Sequence, residues 1–316
     1  MKPRQHAILE LGRFLQSQDY RFTTVTPLTH ERVLRRAERE PNLPSIFGWN
    51  RELPMSDFRH VAEWLQAADA LEQTKNGFKS RIRFSTVEDQ LFAHSAYPTQ
   101  SGDCVFFGPD TYRFIRIVRQ ILDRRLCSQP LTIIDVGCGS GAGGIFASQH
   151  MVQNPRVILS DINLQALEFS EINAALNGLD DVIIVESDVL EEVEHTADVI
   201  ISNPPYLVDP ARRSYRHGGG EYGVDISLKI VEQALRHLNP GGVLILYTGT
   251  PVIDGLDVFF NSMRRRIDFS GYDCRYEEID PDVFGEELEA PPYDRADRIA
   301  VVCAVIHAPQ EQRYAA

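Results

Sequence analysis

From Leu131 to Ile306, apolar runs of strand length alternate with stretches of helical periodicity. Nothing else in the 316-residue chain constrains its fold as much. Strands joined by helical crossovers assemble as a parallel sheet with helices on both faces. The predicted strands are residues 131–136, 156–160, 181–186, 197–202, 242–247, 274–279 and 298–306. One helical pattern runs from Asn163 to Asn177 and stops at Gly178. The last two strands have no helical pattern between them and are expected to pair antiparallel. The fold class expected is therefore α/β, a Rossmann-like seven-stranded sheet with its last strand reversed.

The N-terminal part reads differently. Ile8, Leu11 and Leu15 repeat at helical spacing, and Phe58, Val61, Leu65 and Ala68 form a second stripe with Ser56 as its expected cap. Thr26-Pro27 has the form of an N-cap followed by proline at the first helical position. Between Arg81 and Phe107, Ile82 and Phe84 alternate with polar residues, and Leu91-Phe92 and Val105 to Phe107 add short apolar pieces. Strands or a hairpin are expected there. Pro109 then opens a helix carrying Ile115, Val118 and Leu122. The expected division is a helical domain over 1–80, a hairpin linker over 81–108 and a larger α/β domain over 109–316.

Where the first parallel strand meets its helix the chain reads Ile133-Ile134-Asp135-Val136-Gly137-Cys138-Gly139-Ser140-Gly141. Glycines there let a ligand approach the backbone, and a helix N-terminus offers unpaired N–H groups. Gly139, Gly141 and Gly144 also satisfy the dinucleotide fingerprint, so a nicotinamide-dependent oxidoreductase is one reading. Asp135 favours another. A carboxylate just before the loop repels a pyrophosphate but suits a cationic amino acid, which points to S-adenosyl-L-methionine. Asp161, followed by Ile162, ends the second strand where a carboxylate can accept both ribose hydroxyls. Asp188, followed by Val189, ends the third and is placed to accept from the adenine amine, or to serve as a turn residue.

The fourth strand ends in Asn203-Pro204-Pro205-Tyr206. Two prolines withhold two N–H donors and leave nearby carbonyls as acceptors. A conjugated nitrogen is a poor nucleophile because its lone pair is delocalised. If the Asn203 side-chain oxygen and the Pro204 carbonyl both accept its N–H protons, the lone pair can turn toward a methyl donor. Tyr206 is expected to stack on the flat face of the substrate. No metal is required.

With these motifs in this order, the chain resembles class I S-adenosylmethionine-dependent methyltransferases over roughly Asp103 to Ile306, especially the HemK-like glutamine methyltransferases and the related small methyltransferase group. The resemblance implies that Asp135, Gly137, Cys138, Gly139 and Gly141 hold the cofactor, with Asp161 on the ribose and Asp188 on the adenine side. It implies that Asn203 to Tyr206 hold the substrate, Asn203 also bordering the cofactor. Phe107, Gly108, Pro109 and Thr111 lie where that family borders the cofactor with an Arg-Pro-x-Thr-Glu segment; here Gly108 and Tyr112 replace the Arg and the Glu. Gly219 to Gly223 resembles its Gly-Gly-x-Asp-Gly loop, with Tyr222 in place of Asp.

Arg212, Arg213, Arg216 and His217 cluster after the tetrad. They read either as a patch for a carboxylate, phosphate or nucleic-acid backbone or as a solvated loop. Arg213, His217, Glu221 and Tyr222 are the substrate-side candidates, and His217 is also a possible general base. Residues 281–297 form a lid, a partner surface or a plain surface excursion. Arg264 to Arg266 read as a helix's exposed end.

The net charge of −13 disfavours a bare nucleic-acid surface. The resemblance implies a protein glutamine as the first expected acceptor, and the altered substrate-side motifs put a small-molecule amine second. An RNA or DNA base comes third, and a cofactor-binding protein without turnover is the non-enzymatic alternative. No apolar run is long enough to cross a bilayer, so no membrane partner is expected. Cys104, Cys127, Cys138, Cys274 and Cys303 show no CxxC spacing and suggest neither a metal site nor a disulfide framework, so a cytoplasmic location is expected.

Overall fold

The computed structural model describes residues 1–36, 40–56, 58–99, 101–122, 131–151 and 154–310; Cys127 lies outside the described residues. Four helices come first: α1 (Pro3–Ser17), α2 (Pro27–Leu34), α3 (Leu43–Phe47) and α4 (Arg59–Ala67). Two antiparallel hairpins follow, β1 (Leu71–Gln73) with β2 (Phe78–Ser80) and β3 (Ile82–Val87) with β4 (Gln90–Ser95). The α/β part runs α5 (Pro109–Leu122), β5 (Thr132–Val136), α6 (Ala142–Gln149), β6 (Arg156–Asp161), α7 (Leu164–Leu176), β7 (Val182–Glu186) and β8 (Ala197–Ser202). It continues through α8 (Asp225–His237), β9 (Leu238–Ile253), β10 (Leu256–Asp257), α9 (Val258–Arg266), β11 (Asp273–Asp280), a short 3-10 helix (Gly285–Glu289) and β12 (Arg298–His307).

The main sheet has the order β11-β12-β9-β8-β5-β6-β7, with β10 turned back onto β9. Strands β5 to β9 run parallel to one another, and β12 runs antiparallel to both β9 and β11. This is the α/β architecture the alternating pattern predicts. The burial of the last two strands explains their order. Strand β12 is a nearly continuous apolar run and sits inside the sheet, whereas β11 alternates exposed and half-buried residues and forms the edge.

Local signals account for several element ends. The Thr26 side chain caps α2 by accepting from the Thr29 N–H, Pro27 stands at the first helical position, and Asn163 caps α7. Gly178 has φ +74°, the left-handed geometry that stops a helix. Elsewhere the structure corrects the sequence reading. Phe58, not Ser56, stands at the cap position of α4. The β1–β2 hairpin replaces an expected helical stretch, because three-residue strands carry too little alternation to be read. Val105 to Phe107 is loop, since its N–H and C=O groups turn to Ser95 rather than to a ladder.

The N-terminal part does not pack on itself alone. Its core of Ile8, Leu11, Leu15, Val61, Leu65 and Phe84 includes Phe169, Ile172 and Leu176 of α7. The α1 backbone approaches α7 closely, since a Cβ on Gly12 would lie 2.8 Å from Leu176. Asn173 and Asn177, one turn apart on α7, serve β4 as a partner strand would. Asn173 accepts from Ala93 N at 2.7 Å and donates to Ala93 O at 2.8 Å, and Asn177 accepts from and donates to the backbone of Leu91. Among the described residues no helix is long and apolar enough to cross a membrane.

Candidate active site

The register of the sheet brings the motifs together. Val136 lies opposite Ser202 on one side and Ser160 on the other, and Ser160 lies opposite Val185. The segments that follow, Gly137–Gly141, Asp161, Ser187-Asp188 and Asn203–Tyr206, therefore leave the sheet side by side at its C-terminal end. Neighbouring strands are ~4.8 Å apart, so the glycine loop and the tetrad begin about one strand spacing from each other. They flank the topological switch between β5 and β8, where open α/β sheets bind ligands. Buried Ser202 donates to Val136 O at 2.7 Å and buried Ser160 to Val189 O at 3.0 Å, tying these strand ends together.

Gly137, Gly139 and Gly141 all have positive φ. A Cβ on Gly137 would meet nothing within 4 Å, and one on Gly139 only Val105, so the outer face of the loop is open. Gly139 N donates to Asp161 Oδ2 at 2.9 Å, and Asn163 N donates to Asp161 Oδ1 at 2.9 Å. These bonds fix the half-buried carboxylate beside the loop, and burial raises its pKa. Ile162, next to it, is 61% exposed and offers an apolar face. Val189 holds φ +65°, a strained geometry for a β-branched residue.

Asp135 differs from expectation. It is 2% exposed, and its Oδ2 accepts from Gly144 N at 2.7 Å in the first turn of α6. Burial pushes its pKa up to about 7. Its carboxylate organises the helix start instead of facing a cationic ligand directly. Cys138, also buried, contributes its backbone, donating to Ser160 O at 2.9 Å. Asp188 is exposed and paired with Lys229 of α8 at 2.7 Å.

In the segment before α5, buried Phe107 stacks on His94, and Gly108 N donates to the Thr111 hydroxyl at 3.3 Å. Pro109 sits at the helix start between them.

The tetrad divides into two halves. The Asn203 side chain is half-buried and makes no hydrogen bond to any described residue, and neither does the Pro204 carbonyl. Tyr206 is 7% exposed, and its hydroxyl donates to Asp110 Oδ2 at 2.6 Å. Tyr247 donates to the other oxygen at 3.0 Å, and Arg113 pairs with the same carboxylate. A Cβ on Gly249 would lie 2.2 Å from the Tyr206 ring, so the ring packs directly against that backbone. Tyr206 thus braces the tetrad from below and does not present a free face for stacking. Pro205 remains half-buried between the two.

The substrate-side candidates are mostly committed to the protein. Arg213 binds Asp209 through two nitrogens, at 2.7 and 2.9 Å, and this holds Asp209 down at about 2. His217 Nδ1 accepts from Asp209 N at 3.1 Å, which removes that nitrogen as a general base. Tyr222 gives its carbonyl to Tyr293, and Glu221 is exposed. Gly223 (φ +79°) belongs to this brace, because a Cβ there would lie 2.3 Å from Tyr206 O.

Residues 281–297 are packed on the same loop. Tyr293 is buried against Tyr206, Leu207 and Ile299, and Arg216 pairs with Glu287 and lies over Phe284. Sequence reading missed Asp110, Tyr247, Asp209 and Tyr293. The Asp209–Arg213 pair, four residues apart, was the one local signal; the others act across the fold.

Residues 117–263 match the sequence model of the family "Methyltransferase small domain". That span contains the glycine loop, Asp161, Asp188 and the tetrad. The chain is 36% identical over 112 residues to "Ribosomal RNA small subunit methyltransferase C" of Salmonella arizonae, covering 35% of this chain and 29% of that one. It is 33% identical over 130 residues to the protein of the same name from Escherichia coli K12, covering 40% and 34%. The chain thus matches about a third of the length of these relatives. Among solved structures, Methanocaldococcus jannaschii Trm5 in complex with adenosine shares 17% identity over 82% of this chain and 71% of that one, at a TM-score of 0.48.

The family match supports an S-adenosylmethionine-dependent methyltransferase and goes against the nicotinamide reading. The residues present fit that cofactor: an open glycine loop, a fixed carboxylate at Asp161 and the apolar face of Ile162 lie together at the C-terminal end of the sheet.

Proposed function

We propose that this protein transfers a methyl group from S-adenosylmethionine to an exocyclic amine of an RNA base. The observation that carries the reading is the unpartnered pair of acceptors, the Asn203 side-chain oxygen and the Pro204 carbonyl, one strand from the open glycine loop. The names of the relatives support RNA as the substrate. They overturn the expectation of a protein glutamine or a small amine, with nucleic acid ranked last. That ranking took the net charge of −13 as if it were spread evenly. Recognition depends on local charge, and in the loop beside the tetrad Arg213 and Arg216 are paired with Asp209 and Glu287 while Arg212 is exposed.

When bound, the cofactor supplies a methyl group on a cationic sulfur, already activated for in-line attack. Asp161 and the glycine loop hold its nucleoside end. Asn203 and Pro204 accept the two N–H protons of the base amine and turn its lone pair toward the methyl. Orientation of this kind is worth orders of magnitude in rate, and it needs no strong base, since the proton is lost after transfer. The base must first leave its stack, at a cost of a few kcal/mol.

Labelled S-adenosylmethionine incubated with separated RNA, protein and small-molecule fractions tests the reading. Label is expected in RNA and to fall at least a hundredfold with Asn203→Ala, at unchanged affinity for S-adenosylhomocysteine. Label confined to protein would reject the substrate. Full activity of Asn203→Ala would reject the mechanism.

A further inference from the structure

Phe106 is a large aromatic residue exposed to solvent (41%) in the segment between β4 and α5. Its neighbour Val105 borders the glycine loop, with Cγ1 4.0 Å from where a Cβ on Gly139 would stand. The Phe106 ring also covers Gly108, whose added Cβ would lie 2.5 Å from Cζ. The ring of Tyr215 lies parallel to it, at an interplanar angle of 6° and a centroid distance of 6.3 Å.

Tyr215 is held firmly. Its hydroxyl donates to Thr99 O at 2.8 Å and accepts from Arg213 at 3.0 Å, and Arg213 is itself clamped by Asp209. The next residue, Arg216, accepts through its carbonyl from Leu207 N at 3.2 Å, directly after the tetrad. The two rings thus connect the glycine-loop side to the tetrad side. Arg212, three residues before Tyr215 in the same loop, is exposed at a left-handed turn (φ +51°), and its side chain has no partner among the described residues.

An exposed aromatic ring backed by a parallel, immobilised one, with an unpaired arginine nearby, is the arrangement that grips single-stranded nucleic acid: bases stack on the rings and the cation meets the phosphates. Tyr206, the residue expected to stack, is turned inward and cannot do this. We infer that Phe106, backed by Tyr215, is the seat on which a nucleobase of single-stranded RNA stacks, with Arg212 at its phosphate. The inference rests on the proposed RNA substrate and adds the residues that recognise it.

The test uses the full chain with Phe106→Ala and Phe106→Trp. Their affinity for S-adenosylhomocysteine, measured by calorimetry, is expected to stay within about twofold of wild type, which also shows that both variants fold. Phe106→Ala is expected to raise the KM for RNA on the order of tenfold or more, the loss of one stacked base, with a smaller change in kcat. Phe106→Trp is expected to restore the KM, and its emission, measured against wild type, to be quenched by short single-stranded oligoribonucleotides. An unchanged KM in Phe106→Ala, or no quenching by any of the four homo-oligomers, would overturn the seat. The two readings can fail separately: quenching by RNA in a protein that methylates no RNA would keep the seat and remove the reaction.

Discussion

Asn203 and Tyr206 are three residues apart, and their side chains go opposite ways. Asn203 meets no described partner, whereas the Tyr206 phenol reaches down to Asp110, which also receives Tyr247 and Arg113. Removing one donor from a buried carboxylate costs about 1–3 kcal/mol. Tyr206→Phe is therefore expected to lower stability by that amount in urea unfolding, with cofactor affinity nearly unchanged. Unchanged stability with lost cofactor binding would instead give the phenol a direct role. Asp161→Ala removes the acceptor for both Gly139 N and Asn163 N. It is expected to weaken S-adenosylhomocysteine at least tenfold by calorimetry, and equal affinity would take Asp161 out of the site. The tetrad's place at a strand end was legible in the sequence because β-branched runs and prolines are local signals. The direction of Tyr206 was not, because its partner lies 96 residues away on helix α5.

Helix α7 joins the two parts of the molecule. Its cap at Asn163 and stop at Gly178 are written in the sequence, and so are its apolar stripes. The use of Asn173 and Asn177 is not, because an asparagine in a helical pattern reads as solvent-facing, whereas these two take the backbone of β4 as partner. Asn173 also donates to Ser140 O at 2.9 Å, inside the glycine loop. Asn173→Ala leaves these backbone groups unpaired in a buried place. It is expected to lower the thermal midpoint by several degrees and to weaken cofactor binding as well. Asn177→Ala, away from the loop, is expected to lower the midpoint only. Equal effects of the two on binding would contradict a link from hairpin to cofactor loop.

At the scale of the whole molecule, the acidic sum does not show where charge is buried. Arg83, on β3, is 4% exposed beside His30 of α2 and over the ring of Phe22. Burial, then Arg83, Arg51 and Lys79, holds the His30 pKa down at about 4; burial lowers that of His94 as well. Unfolded histidines take up protons near pH 6.5, before these folded ones do. Their contribution to stability is therefore complete above about pH 6.5 and is lost as the pH falls toward 4. Asp135 works in the other sense: its raised folded pKa, about 7, stabilises below the unfolded carboxylate range and is lost as the pH rises through 7. The His30 part is isolated by comparison with His30→Gln. The stability of wild type relative to the variant is expected to fall between pH 7 and pH 5, and parallel curves would contradict this. None of it was readable from composition, which counts charges without placing them.

A planar nitrogen held by two oxygen acceptors is the centre of the proposed reaction, and the position of the methyl group on the product reports on it most directly. Nucleoside mass spectrometry of RNA methylated by the wild-type protein should find the added methyl on an exocyclic base amine. A methyl on a ring carbon or on the ribose 2′-oxygen would contradict it, because neither presents two N–H protons to Asn203 and Pro204.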